Sequence, residues 1–138
     1  NSYEAFDPLA QDKSIALSII LPEKALPLCS ADPERISQVV SILLHNAISY
    51  TPEHGRIELS LFHKKEHFYL SVKDNGIGIA DEDKKKIFDR FYRVEKSRST
   101  KDHFGLGLSI AYEIVKAHGG NIQVADADGG GSIFTVIL

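Results

Sequence analysis

Two glycine-containing segments carry residues well suited to bind a ligand. The first, "DNGIGIA" at residues 74–80, follows directly from a predicted strand and places Gly76 and Gly78 beside isoleucines. Glycines in that pattern permit the close approach of a flat ligand, and Asp74 at the strand end can accept a hydrogen bond from a ligand amine. Taken alone, Asn75 and Gly76 also suit a plain turn, which is the competing interpretation.

The second segment, "HFGLGLSI" at residues 103–110, opens a predicted helix with Gly105 and Gly107. The free N–H groups and the positive dipole end at such a helix start bind phosphate. The segment lacks the Lys-Ser or Lys-Thr of a Walker loop, and it lacks the G-x-G-x-x-G spacing of a Rossmann site. A lone G-x-G is also compatible with a helix start that only needs tight packing.

A third polar residue, Asn46, lies beside the apolar stripe of a predicted helix. Ile42, Asn46 and Tyr50 are spaced i, i+4, i+8, so they share one flank of that helix. The amide oxygen can complete the shell of a Mg²⁺ ion, which accepts few protein ligands beside phosphates and water. The ring of Tyr50 can stack on a base. An amide satisfied within the protein is the alternative interpretation of Asn46.

The elements that must position these residues are predicted from periodicity and from capping and turn residues. The predicted helix at residues 31–50 has Asp32 as N-cap, Pro33 at its first position and Pro52 after its end. The other predicted elements are a strand at 14–21, a short strand at 26–30, a hairpin at 55–76, a helix at 81–91, a charged mobile loop at 92–104, a helix at 105–120 and a hairpin at 121–138. The order predicts an α+β fold, a two-layer α/β sandwich. Its mixed, mostly antiparallel sheet is covered on one face by helices.

The composition indicates one globular domain. The 138 residues are 43% apolar and 25% charged, with no apolar run near the roughly 20 residues needed to cross a bilayer. The single cysteine, Cys29, cannot form an internal disulfide, which fits a reducing compartment. A net charge of −3 gives no general drive toward nucleic acid. We expect residues 1–138 to be a single domain cut from a longer protein.

Five motifs in succession carry a resemblance to a known family. They are "HNA…YTP", "DNGIGIA", "IFDRFYR", "FGLGLSI" and the terminal "GGGSIFTVIL". In this order they resemble the catalytic and ATP-binding domain of sensor histidine kinases. That domain belongs to the superfamily that includes gyrase, the heat-shock chaperone ATPase and the mismatch-repair ATPase. The resemblance extends from about Phe6 to Leu138 and implies ATP and Mg²⁺ as cofactors.

The resemblance also implies a role for each matching residue. Asn46 would be the magnesium ligand and the catalytic residue, with Tyr50 near the adenine, and Asp74 would bind the adenine amino group. Phe88 and Phe91 would anchor one end of a lid, from which Arg93 and Lys96 approach the phosphates. The full nucleotide-binding set implied is Asn46, Tyr50, Asp74, Gly76, Gly78, Ile79, Arg93, Lys96, Gly105, Leu106, Gly107 and Leu108.

Two positions depart from the family pattern. Ile42 stands where the family commonly has an asparagine, and Ser49 stands where it commonly has a lysine. Loss of an ammonium near a triphosphate is expected to weaken binding, because charge-assisted contacts contribute about 1.5–3 kcal/mol. In the gyrase and chaperone branches a catalytic glutamate stands at the position of Ile42. Isoleucine cannot act as a base, which counts against an ATP-hydrolysing switch.

The implied partners follow from phosphoryl transfer in two-component signalling. The γ-phosphoryl group would go to a histidine on a separate dimerisation domain of the same protein, upstream of a response regulator. We expect no nucleic-acid partner, a monomeric isolated piece and a cytoplasmic location, with the parent protein anchored in the cell membrane. Two alternatives remain open: a degenerate docking module, supported by Ile42 and Ser49, and a serine kinase of the anti-sigma type.

Overall fold

The computed structural model describes residues 14–21, 32–89 and 107–138. Within these ranges the elements are β1 (Ala16–Ile20), α1 (Pro33–Tyr50), β2 (Arg56–Lys64), β3 (His67–Asp74), α2 (Asp81–Lys84), α3 (Gly107–Ala117), β4 (Asn121–Asp126) and β5 (Ser132–Ile137). No helix in the described ranges is long and apolar enough to span a membrane. The strand predicted at residues 26–30 and the loop predicted at 92–104 lie outside the described residues.

Helix α1 begins and ends where the capping residues predict. The Asp32 side chain accepts a hydrogen bond from the N–H of Glu34 at 3.0 Å, and Pro33 occupies the first helical position. At the other end Thr51 is extended, so the helix ends at Tyr50. On the apolar side of the helix Val39, Leu43, Leu44 and Ala47 are buried, whereas Ile36 and Val40 are half-buried.

The five described strands form one sheet in the order β1-β2-β3-β5-β4. Strands β1 and β2 run parallel, and the other three neighbouring pairs run antiparallel. Helix α1 lies in the connection between β1 and β2, because a parallel pair needs a crossover connection. The prediction of a mixed, mostly antiparallel sheet is confirmed.

The core lies between one face of the sheet and the helices. Alternate strand residues lie on this face, and they pack against the apolar sides of α1 and α3. From the strands these residues include Ile57, Leu59, Val72, Ile122, Phe134 and Val136; from the helices they include Val39, Leu43, Leu44, Ala47, Ala111 and Val115. This arrangement confirms the predicted two-layer sandwich.

The helix predicted at residues 81–91 is wrong in its length. Regular α-helix covers only Asp81–Lys84, and the chain then continues through turns closed by Lys86 N–H to Asp83 and Asp89 N–H to Lys86. Such a short segment is marginal as an isolated helix, so tertiary contacts decide its course. Here Ile87 is buried, and the Phe88 ring lies edge-on to Phe134 at 6.1 Å.

Helices α1 and α3 run antiparallel, as the contacts at the two ends of α3 show. A Cβ built on Gly107, the first residue of α3, would lie 3.5 Å from Cγ2 of Ile42, in the middle of α1. At the opposite end of the pair, the N–H of Asp32 donates to Nε2 of His118 at 3.1 Å. Because α3 begins opposite Ile42, the last two turns of α1 extend past the N-terminus of α3.

Lysine 84 connects helix α2 to the end of strand β4. Its Nζ lies 2.7 Å from Oδ1 of Asp81 and 2.7 Å from Oδ1 of Asp126. The hydrogen bond to Asp126, followed by the one to Asp81, raises the pKa of Lys84 above its ordinary 10.5. The hydrogen bond and charge of Lys84 lower the pKa of Asp81 below its ordinary 3.8.

We predict that Lys84→Met lowers Tm by a few degrees at neutral pH, because both carboxylates lose their cation. The lowered pKa of Asp81 contributes stability above about pH 3.8 that is lost as pH falls through its folded-state pKa. The raised pKa of Lys84 contributes stability below about pH 10.5 that is lost as pH rises through its folded-state pKa.

Thermal melts of wild type and Lys84→Met across this pH range check the prediction, with Lys86→Met as the matched control from the same lysine run. The difference in Tm between wild type and Lys84→Met should shrink at both pH extremes. A difference that stays constant with pH, or an equal loss in the control, would contradict it.

Candidate functional site

Asp74 is a buried carboxylate at the end of strand β3, held by neighbouring donors. It is 2% exposed. Its Oδ1 accepts hydrogen bonds from the N–H of Gly76 at 2.9 Å and of Ser132 at 3.3 Å. Its Oδ2 accepts one from the Ser132 hydroxyl at 3.0 Å. A carboxylate has about four acceptor positions, so this one is oriented and still able to accept from a ligand.

Ser132 is the site residue that sequence reasoning missed, although the pattern contained a signal. Strand β5 places Ser132, Phe134 and Val136 on the core face, where a serine is unexpected. Asp74 likewise follows Leu70 and Val72 on the core face of β3. Ser132 and Asp74 are therefore polar residues at core-facing positions that are otherwise apolar, and they lie at adjacent ends of neighbouring strands. Two such exceptions at adjacent strand ends indicate that the two side chains form a hydrogen bond in the folded protein.

Two glycines allow the backbone to pack closely around Asp74. A Cβ built on Gly76 would overlap the carbonyl oxygen of Tyr50, and one built on Gly131 would overlap the carbonyl oxygen of Asp74 itself. Gly131 also has φ +90°, a conformation that side chains disfavour. The turn between β4 and β5 is thereby brought against the end of β3.

The first glycine segment is joined to the C-terminal end of α1. The N–H of Ile77 donates to the carbonyl oxygen of Tyr50 at 3.2 Å, and Gly76 lies against the same carbonyl. This hydrogen bond satisfies one of the carbonyls that a helix end leaves without a partner. The structure therefore brings together three of the predicted site elements: the helix with Asn46 and Tyr50, the strand end at Asp74, and Gly76.

Asn46 has a buried side-chain amide. The residue is 8% exposed, and its Nδ2 has no hydrogen-bond partner among the described residues. Leaving a buried donor unpaired costs about 1–3 kcal/mol. The interpretation of Asn46 as an amide fully satisfied within the protein therefore receives no support from the described residues.

The N-terminus of helix α3 lies close to the same flank of α1. Gly107 contacts Ile42, and Asn46 follows Ile42 by four residues, which corresponds to about 6 Å along the helix axis. Asn46 thus lies just beyond the point where α3 begins, where the first N–H groups have no partner within the helix. The isoleucine at position 42 also has a structural role, because it packs against the start of α3.

The remaining predicted site residues that the structure describes have mixed positions. Gly78 adopts φ +77°, near the carbonyl oxygen of Gly131. Ile79 is 6% exposed and belongs to the hydrophobic core, and Leu108 packs against that core. Their contribution to ligand binding stays a prediction.

The ring of Phe88 packs between helix α3 and the sheet, just before the segment predicted to form the lid. It stacks on Tyr112 of α3 at 5.8 Å and lies edge-on to Phe134 at 6.1 Å. Lys116 places its ammonium 5.5 Å from the centre of the Tyr112 ring. Phe91, Arg93 and Lys96 of the predicted lid lie outside the described residues, as do Gly105 and Leu106 of the predicted nucleotide-binding set.

Comparison with known proteins identifies the family. The profile described as "Histidine kinase-, DNA gyrase B-, and HSP90-like ATPase" matches residues 31–138, which is most of the chain. The chain belongs to this ATPase family. The predicted resemblance to sensor histidine kinases is confirmed by the relatives described next.

Two curated sensor kinases illustrate the similarity to this branch of the ATPase family. The sensor protein CiaH of Streptococcus pneumoniae is 51% identical over 102 residues, covering 73% of this chain and 23% of CiaH. The sensor histidine kinase WalK of Bacillus subtilis is 44% identical over 121 residues, covering 86% of this chain and 20% of WalK. The chain therefore spans only about a fifth of the length of these relatives.

The fold is shared with solved histidine kinase catalytic domains. The nucleotide-free catalytic domain of the histidine kinase ThkA superposes with a TM-score of 0.86 at 29% identity, covering 99% of this chain and 86% of that one. ThkA in complex with the response regulator protein TrrA gives a TM-score of 0.81 at 28% identity, covering 99% of this chain and 37% of that one. The chain is thus a histidine kinase catalytic domain of the ATPase family, and these matches give no support to the two alternative functions.

We predict that Gly131→Ala destabilises the domain more than Gly129→Ala does. Both glycines have positive φ, +90° and +84°, so both alanines pay a conformational cost of about 1–2 kcal/mol. A Cβ at Gly129 meets open space, whereas one at Gly131 meets the backbone of Asp74. Overpacking of this kind adds about 1–3 kcal/mol.

Urea unfolding of both variants measures this difference in the free energy of unfolding. If both variants lose the same free energy of unfolding, the close approach of Gly131 to Asp74 does not constrain the fold.

Proposed function

We propose that this domain binds Mg-ATP between α1, the first glycine segment and the N-terminus of α3, and that it donates the γ-phosphoryl group to a histidine outside this chain. The observation that carries the proposal is the buried Nδ2 of Asn46, which has no hydrogen-bond partner among the described residues and lies near the start of α3. Membership of the ATPase family supports ATP as the nucleotide that is bound.

The adenine end of the proposed site is Asp74. Its carboxylate is oriented by Ser132 and Gly76 and retains acceptor capacity for an exocyclic amine. A base with an amino group at this edge gains a charge-assisted hydrogen bond, whereas one with a carbonyl oxygen there meets a buried anion. The site therefore favours adenine over hypoxanthine or guanine. Tyr50, whose carbonyl is bound by Ile77, lies beside this end.

The phosphate end of the proposed site is formed by Asn46 and the first turn of α3. An amide has a donor and an acceptor: Nδ2 suits an anionic phosphate oxygen, and Oδ1 suits a hard cation. Bound Mg²⁺ would neutralise phosphate charge and hold the phosphates in place for transfer. Among the described residues no group of three or more His, Cys, Asp and Glu could hold a metal ion. On the chemistry of its amide, we propose Asn46 as a metal-binding and catalytic residue of this chain.

The second glycine segment would contact the phosphates through its backbone. Gly107 begins α3, an 11-residue helix whose first N–H groups and positive dipole end favour anions. Asn46 lies about one turn of α1 beyond the contact between Ile42 and Gly107, so in the proposed site both donors would contact one phosphate chain. Arg93 and Lys96 remain the predicted cations of the lid.

In the proposed reaction, an imidazole nitrogen of the acceptor histidine attacks the γ-phosphorus. A nitrogen–phosphorus bond forms as the bond to the β–γ bridging oxygen breaks, ADP departs, and the imidazole N–H proton goes to solvent. The transition state is loose, so positioning and charge neutralisation supply most of the catalysis. Ile42 has no group that could activate water, which favours transfer over hydrolysis.

The partners and location of the parent protein are part of the proposal. The acceptor histidine would lie on a dimerisation domain of the same protein, and the phosphoryl group would pass on to a response regulator. ThkA, which has been solved with the response regulator TrrA, supports this kind of partner. A cytoplasmic domain, a membrane-anchored parent, a monomeric isolated domain and 1–138 as a single domain stay predictions.

We predict that Asn46→Ala weakens nucleotide binding in the presence of Mg²⁺ by about tenfold or more, because a metal ligand and a phosphate donor are lost together. Calorimetric titration of wild type and variant with ADP, with and without Mg²⁺, measures both the affinity and its metal dependence. Asn121→Ala, which removes an amide on β4 bound to Lys116, is the matched control. Equal, metal-independent binding by wild type and Asn46→Ala would refute the role of Asn46.

We predict that Ser132→Ala reduces discrimination between ATP and inosine triphosphate by about three- to tenfold, because Asp74 loses the hydroxyl that orients its Oδ2. The ratio of the two dissociation constants is the readout. Ser71→Ala, which removes another buried hydroxyl from the same sheet, should leave the ratio unchanged. An unchanged ratio in Ser132→Ala would separate Ser132 from base recognition.

A further inference from the structure

His118 connects the far ends of the two helices that carry the phosphate side of the site. Its Nε2 accepts a hydrogen bond from the backbone N–H of Asp32 at 3.1 Å, across 86 residues of sequence. Its Nδ1 lies 2.8 Å from the carbonyl oxygen of Ile114, one turn earlier in α3. The imidazole thus bridges the C-terminal end of α3 and the N-cap of α1.

These two partners determine which ring nitrogen carries the proton. The carbonyl oxygen of Ile114 can only accept, so Nδ1 must donate its N–H to it. The N–H of Asp32 can only donate, so Nε2 must present a lone pair. Both hydrogen bonds are made only by the neutral Nδ1–H tautomer of His118.

The backbone beneath the ring is held by the helix C-cap. After α3, Gly119 has φ +76°, the N–H of Gly119 donates to Lys116, and the N–H of Gly120 donates to Val115. This pair of hydrogen bonds is a Schellman motif with His118 as the C-cap residue. The imidazole therefore projects toward α1 from a backbone that has little freedom.

We propose that His118 is a positioning residue: its hydrogen bond to Asp32 fixes how far α3 lies along α1, and so fixes the start of α3 relative to Asn46. This proposal rests on the proposed nucleotide site. Helices are stiff along their axes, so a shift at His118 moves Gly107 by the same amount. A displacement of about 1 Å is large for groups that must position phosphates.

The apolar contacts between α1 and α3 constrain this axial offset less tightly. The contact of Ile42 with Gly107 and the surrounding apolar contacts are non-directional, and they tolerate sliding by a fraction of a side chain. A hydrogen bond from a main-chain N–H to a ring nitrogen weakens steeply with distance and angle. The hydrogen bond between Asp32 and His118 is therefore better suited than these apolar contacts to fix the axial offset.

The first test uses the wild-type chain without nucleotide. Multiple-bond ¹⁵N NMR of the imidazole should show a protonated Nδ1 and an unprotonated Nε2, and the Asp32 amide should be protected from hydrogen exchange. An Nε2–H tautomer, or an unprotected Asp32 amide, would overturn the proposal whether or not nucleotide binds.

The second test separates the two hydrogen bonds with His118→Gln and His118→Asn. The glutamine oxygen is three bonds from Cβ, like Nε2, and can accept from Asp32; the asparagine amide reaches only as far as Nδ1. We expect His118→Gln to keep Asp32 amide protection and wild-type affinity for Mg-ADP. We expect His118→Asn to lose that protection and to weaken Mg-ADP binding about three- to thirtyfold.

Two outcomes of the second test would overturn the proposal. One is wild-type affinity for Mg-ADP in His118→Asn, and the other is an equal loss of that affinity in His118→Gln and His118→Asn. If the wild-type chain itself fails to bind Mg-ADP, the proposed function fails, while the NMR test still decides the state of His118. If His118→Asn does not fold, the tautomer and the Asp32 amide in wild type remain decisive.

Discussion

The hydrogen bond from the Ile77 N–H to the carbonyl of Tyr50 is the interaction on which the rest of the site depends. It joins the end of a helix to the end of a strand at a point where neither could satisfy its own backbone groups. Gly76 makes it possible, because any side chain there would occupy the space of that same carbonyl. This close approach joins the end of α1, which carries Asn46, to the segment that follows Asp74.

Asn46 and Asp74, two buried polar residues of the site, differ in how far the protein satisfies their hydrogen bonds. Asp74 is satisfied by Ser132 and Gly76, so its cost of burial is offset within the protein. The Nδ2 of Asn46 has no partner among the described residues, so its cost of burial is not offset there. A buried donor without a partner destabilises the free protein, and a ligand that accepts its hydrogen bond removes this cost. Functional residues commonly lower stability in this way.

Much of the fold could be predicted because local signals agreed with the tertiary contacts. Asp32, Pro33 and Pro52 set the ends of α1, and the alternation of residues 56–74 set the hairpin of β2 and β3. The predicted length of the helix at residues 81–91 was wrong for the opposite reason, because local signals and tertiary contacts disagreed. Its acidic start and lysine run favour a helix, but the burial of Ile87 and the ring contacts of Phe88 outweigh a propensity of that length.

The sequence by itself determined the family, the order of elements and the identity of Asn46 and Asp74 as polar residues in apolar surroundings, because periodicity and motif order are local properties. Only the tertiary structure decided that Ser132 orients Asp74, that Ile42 packs against the start of α3, and that His118 meets Asp32. Each of these contacts joins residues on different elements. Their distances depend on sheet register and helix offset, which packing determines and residue types alone do not encode.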